Sequence, residues 1–120
     1  HLKIQKTEKK NLKTENAERI IPLAGISLEA FRECKDGFPR YAGKPGLSAT
    51  INKFLRENDL LETSGHTAYC LRHSFEDRLL DAGVDERLRR DLMGHALNRS
   101  RYGEGGSLST KSAAVQLIAL

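Results

Sequence analysis

The 120 residues contain no tryptophan, and aromatic side chains make up only 6% of them. Proteins that hold single-stranded nucleic acid stack successive bases on aromatic rings, so that mode of recognition has little to work with here. Only two cysteines occur, Cys34 and Cys70, far apart and outside any Cys-x-x-Cys spacing. This excludes a disulfide scaffold and fits two partly buried thiols in a reducing compartment. His66 and His73, seven apart, do not make up the ligand set of a metal site, and no metal is expected. Long apolar runs are missing as well. None approaches the roughly 20 residues needed to cross a bilayer, and no charged-then-apolar leader opens the chain. The sequence reads as soluble, with no membrane among its partners. His1 in place of a methionine reads as a piece of something longer.

What is present is a chain that is 38% hydrophobic and 30% charged, enough for one core and one domain over residues 1–120. At this length folding buries roughly two thirds of the unfolded surface, so neither a disulfide nor a metal is required for stability. Twenty Lys and Arg against sixteen Asp and Glu give a net charge of +4, a modest preference for a polyanion. The distribution says more than the total. Lys3, Lys6, Lys9, Lys10, Lys13 and Arg19 face only Glu8, Glu15 and Glu18 in the first twenty residues, and Arg87, Arg89, Arg90, Arg99 and Arg101 gather around a histidine and a tyrosine.

Leu2 to Gln5 alternates apolar and polar residues like a half-buried strand, and Arg19 to Leu23 reads as its partner, so residues 1–23 form a hairpin with Lys13 in the turn region. Ser27 offers an N-cap for a short helix from Leu28 to Cys34, and Phe38 to Gly46 reads as a loop. Leu47, Ile51, Phe54 and Leu55 recur at helical spacing up to about Asn58. The steps Leu71, Phe75, Leu79 and Ala82 predict a helix over 67–82 at the centre of the core, ended by Gly83. Asp85 caps the next helix, whose Val84, Leu88 and Leu92 precede the stop at Gly94. Asn98 to Gly106 is irregular, and Ser107 caps a final tail helix through Val115 and Ile118. The fold class is predominantly α with a small antiparallel β-hairpin, an α+β arrangement.

Four residues stand out chemically: Lys13 on the hairpin, Arg72 beside an apolar stripe, His95 directly after a helix-ending glycine, and Tyr102 on a glycine-flanked loop. An arginine close to a core stripe needs an anionic partner, which a buried salt bridge would supply as well as a ligand would. His95 could equally do no more than bond the helix end.

Together, Tyr69 to Phe75, Leu92 to His95 and Tyr102-Gly103 resemble the catalytic domain of tyrosine recombinases, the phage integrase family. That family runs His-x-x-Arg, then Gly-His about twenty residues later, then a nucleophilic tyrosine; here Arg72, His95 and Tyr102 follow at intervals of 23 and 7. Leu12 to Thr14 followed by Arg19 to Leu23 is similar to the family's hairpin, whose turn lysine falls on Lys13. The resemblance implies site-specific recombination of double-stranded DNA through a 3′-phosphotyrosyl link, without cofactor. Tyr102 would be the nucleophile and Arg72 the phosphate clamp, Lys13 would protonate the leaving oxygen, and His95 would either donate a further hydrogen bond or help take the phenolic proton. Lys9, Lys10, Arg99 and Arg101 would contact DNA phosphates. Residues 27–58 would supply supporting helices, 67–102 the active-site helices and loop, and 103–120 a tail helix. The full-length protein would assemble as a tetramer on DNA in the cytoplasm, bacterial or phage-encoded.

Two departures accompany the resemblance. Tyr69 stands where the family has the histidine of His-x-x-Arg, and its phenol can bond a phosphate oxygen but is a poor base. The family's first catalytic arginine, upstream of the hairpin, is not among the 120 residues, so this chain alone is expected to be inactive. The alternatives are a DNA-binding module without catalysis and an enzyme like the type IB topoisomerases.

Overall fold

Leu2–Ile4 (β1) and Arg19–Ile21 (β2) pair antiparallel, with Leu2 opposite Ile21 and Ile4 opposite Arg19. Pro22 follows directly, buried and without an N–H to extend the ladder, so the strand stops there. This computed structural model describes residues 1–8, 11, 12, 14, 17–41, 43, 45–96 and 105–120. After the hairpin come α1 (Gly25–Glu33), a 3-10 turn (Pro39–Tyr41), α2 (Leu47–Glu57), α3 (Cys70–Asp81), α4 (Glu86–Met93) and α5 (Leu108–Leu117). The regular structure of the described residues is therefore mainly helical, with one small antiparallel sheet. No helix among the described residues is long and apolar enough to cross a membrane.

The ends of α4 and α5 form as their sequences dictate. The Asp85 carboxylate accepts the N–H groups of Arg87 and Leu88, and Ser107 accepts that of Thr110, so each helix has a side-chain cap. Gly83 and Gly94 adopt the left-handed conformation, each with φ +71°, at the two helix exits.

Other elements depart from expectation. Ser27 does not cap a helix from Leu28; it sits inside α1, where its hydroxyl donates to the Ala24 carbonyl at 2.6 Å and accepts the Ala24 N–H at 3.3 Å. The helix therefore begins three residues earlier, and its Ile26 N–H is satisfied by the Leu120 carbonyl at 2.8 Å. The loop from Phe38 to Gly46 contains a 3-10 turn, closed by Tyr41 N–H on the Phe38 carbonyl. α3 begins at Cys70 rather than 67, because Cys70, Leu71 and Arg72 donate to the carbonyls three residues back and wind the first turn too tightly for an α-helix. The side chain of Asn52 on α2 holds that turn, accepting the Ala68 N–H at 2.7 Å.

The core joins Leu79, Leu92, Ala114, Val115, Ile118 and Ala24, with Phe75, Val84 and Leu88 packed around them. The tail helix thus buries Val115 and Ile118 against its own chain. The apolar stripe of α3 is only partly interior: Leu79 is fully buried, Phe75 half-buried, and Leu71 70% exposed. Steps of four residues advance about 400°, so the stripe drifts by about 40° at each step and Leu71 ends about 80° from Leu79. Ala82 is likewise exposed at the helix end. Cys34 and Cys70 are free and half-buried. Leu79→Ala should cost about 2–5 kcal/mol, because a fully enclosed side chain leaves a cavity that its neighbours fill only in part. Urea denaturation measures it, and a loss under about 1 kcal/mol would place the core elsewhere.

Candidate functional site

Helical phase explains what Arg72 faces. Seven residues separate it from Leu79, which is about 700°, so the two side chains leave α3 only about 20° apart. Arg72 is therefore aimed inward, at the carboxyl end of α4, which packs on α3 across the Gly83 corner. There its Nη2 donates to the Met93 carbonyl at 2.6 Å and lies 2.9 Å from Nε2 of His95. His95 is placed by the Gly94 turn, where the N–H groups of Gly94 and His95 both turn back to the Arg90 carbonyl. Its ring is exposed. A guanidinium has no lone pair to offer, so Nε2 of His95 must be the acceptor and the ring proton of the neutral imidazole sits on Nδ1. The Nη1 and Nε donors of Arg72 have no partner among the described residues.

A second guanidinium reaches the same helix end. Arg19 Nε donates to the Leu92 carbonyl at 2.9 Å and its Nη1 to the Ala17 carbonyl at 2.8 Å. Burial, and after it the like charge of Arg72, holds the Arg19 pKa below the ordinary guanidinium value. Neither arginine has a carboxylate partner among the described residues. The terminal carbonyls of α4 and the negative end of its dipole let two cations share this place, but they do not neutralise them. The salt bridge that could have explained Arg72 is not formed with any described residue. What remains is a site with surplus positive charge, an imidazole and free N–H donors, able to hold an oxyanion.

Tyr69 does not join this group. It lies at the start of α3, 64% exposed, with its ring edge-on to His73 at 5.3 Å, and no hydrogen bond links its phenol to Arg72 or His95. Lys9, Lys10, Lys13, Arg99, Arg101 and Tyr102 lie outside the described residues. The two flanks of the 97–104 segment are both tied to α4: Arg90 Nη1 donates to the Ala96 carbonyl at 2.9 Å, and the Gly106 N–H to Asp91 at 3.2 Å. The α4 arginines are partly engaged in the fold, Arg89 on the Val84 carbonyl and Arg90 on Glu86 as well as Ala96. Among the described residues no three His, Cys, Asp or Glu side chains gather into a metal-binding group.

Arg19 is a site residue that the sequence reading does not single out, counting it only in the amino-terminal basic group and as the start of a strand. The signal was available: with a period of two it shares a sheet face with Ile21, an odd place for a charge without a purpose. No family model, curated protein or solved structure matches the chain.

Proposed function

We propose that the chain is the phosphate-handling part of a tyrosine recombinase, exchanging strands of double-stranded DNA through a covalent phosphotyrosyl intermediate. The observation that carries this reading is the meeting of Arg72 and His95, 23 residues apart, beside a second guanidinium with no carboxylate among the described residues to neutralise the pair. A scissile phosphodiester is the anion that this charge suits, and the motif intervals assign the nucleophile to Tyr102. That residue stands six positions after Ala96 and four before Gly106, both of which are bonded to α4.

In the proposed step the Tyr102 oxygen attacks phosphorus, the bond to the 5′ oxygen breaks, and a 3′-phosphotyrosyl ester forms. Lys13 supplies the proton that the 5′ hydroxyl needs, and the phenolic proton is released to water. Arg72 gives the free donors of its guanidinium to the non-bridging oxygens, whose charge rises toward the transition state. His95 acts from Nδ1–H as a further donor, because its Nε2 lone pair is already held by Arg72. This favours the donor role over removal of the phenolic proton. The energy of the cleaved bond is kept in the tyrosyl ester, so resealing needs no nucleotide cofactor.

The test is a nicked suicide duplex incubated with the full-length protein and run on a denaturing gel, the adduct then being digested and its peptide mapped. A DNA-linked peptide carrying Tyr102 supports the reading. Binding without any adduct overturns it in favour of a non-catalytic DNA module, and adducts on any sequence favour a topoisomerase. Binding itself should be strongly salt-dependent: for about four neutralised phosphates, affinity falls roughly a hundredfold between about 50 and 200 mM salt. Fluorescence anisotropy with a labelled duplex measures this, and a flat salt profile would contradict it.

A further inference from the structure

We propose that Arg19 is a positioning residue of this site, fixing the end of α4 so that the Met93 carbonyl and the His95 ring both meet Arg72. The inference rests on the reading of Arg72 and His95 as the phosphate-binding pair. Arg19 comes from β2, 73 residues before the carbonyl it bonds, and its planar fork joins two places at once: Leu92 near the end of α4 and Ala17 beside the hairpin. Ala17 in turn closes on the Thr14 carbonyl at 3.1 Å, next in sequence to Lys13. One side chain therefore ties the approach to the proposed acid to the helix end that presents His95.

Gly94 completes the device. A Cβ built there would lie 2.6 Å from Nη1 and 2.9 Å from Cζ of Arg19, so the guanidinium occupies the space that any side chain at this position would need. Gly94 is required both for its left-handed φ of +71° and for this close approach. The path of the backbone into His95 is thus pressed against Arg19. The adjacent carbonyls of Leu92 and Met93 sit about 100° apart around the helix axis. Arg19 takes the first and Arg72 the second, so the final turn is braced from two sides. A lysine at position 19 keeps the charge but is a single point donor and cannot hold Leu92 and Ala17 in one plane.

The experiment reads the His95 ring nitrogens by NMR in the 15N-labelled chain, beside the single-turnover rate of adduct formation in the full-length protein. In the wild type, Nε2 should appear unprotonated and Nδ1 protonated. In Arg19→Lys both resonances should move toward the averaged positions of a freely exchanging imidazole, and the rate should fall roughly ten- to hundredfold, as expected when reacting groups lose alignment. An unchanged ring spectrum or an unchanged rate in the folded variant overturns the proposal. Gly94→Ala, which displaces the guanidinium and also strains the left-handed turn into His95, should produce ring shifts at least as large. If both variants unfold, the wild type still decides. Slow solvent exchange of the Arg19 Nε–H with a cross-peak to Gly94 supports the brace, and exchange as fast as that of the exposed Arg32 refutes it. An absent wild-type adduct refutes the recombinase reading, whereas the ring shift alone tests whether Arg19 holds His95.

Discussion

Tyr102→Phe in the full-length protein is expected to eliminate the covalent protein–DNA adduct while leaving affinity for duplex DNA within about twofold. The substitution removes one oxygen, the atom proposed to bond phosphorus, so position 102 no longer carries a nucleophile that can form an ester. Binding is expected to survive because, on the proposed reading, it would come from many phosphate contacts spread over cationic residues, of which a neutral phenol is not one. The same gel that detects the wild-type adduct checks the result, with anisotropy measured on the same preparation. Tyr41 and Tyr69 serve as internal controls: phenylalanine at either should leave the adduct in place. An undiminished adduct from the Tyr102 variant would remove that residue from the role.

Arg72→Ala should lower the single-turnover cleavage rate by roughly a hundredfold to a thousandfold or more, with a much smaller effect on DNA affinity. The loss has two sources. The free Nη1 and Nε donors vanish from the phosphate, where they matter most as charge builds in the transition state. His95 also loses the partner that fixes its tautomer, since among the described residues Nε2 is held only by Arg72. Stability should fall by only about 1–2 kcal/mol, because the Met93 carbonyl gives up one partly buried bond and water can enter the space that the shortened side chain leaves. Thermal unfolding separates this from a folding defect. Arg72→Lys should not rescue the rate, because an ammonium is a compact point donor and lacks the planar fork that spans Met93, His95 and a phosphate. A lysine variant as active as the wild type would show that the charge alone is sufficient.

The parts of the fold legible in the sequence are those decided within a few residues. As caps and exits, Asp85, Ser107, Gly83 and Gly94 engage groups no more than five positions away, and each forms what its residue type predicts. Ser27 shows the limit of that logic, since its hydroxyl serves the helix entry from inside the first turn as well as from the cap position. Leu71 was misplaced because four-residue stepping looks like one stripe on paper and turns steadily around a real helix. The same arithmetic, carried one residue further, accounts for the inward aim of Arg72. For Arg19 the sequence shows a charge on the Ile21 face of β2 but not its partner, a carbonyl 73 residues away that comes near only when β2 packs on α4.

The Gly83 corner gives the site a property like that of two meshed gears. α3 carries Arg72 inward and α4 returns His95 to meet it, so the interval between them counts turns as well as residues. One residue added within α4 would rotate everything after it by about 100° and advance it about 1.5 Å. The Met93 carbonyl and the His95 ring would then face away from the guanidinium. Two whole turns would restore the direction but carry the ring about 11 Å past its partner. The spacing of 23 is thus a mechanical setting, and lengthening this corner disengages the pair even where every named side chain is kept.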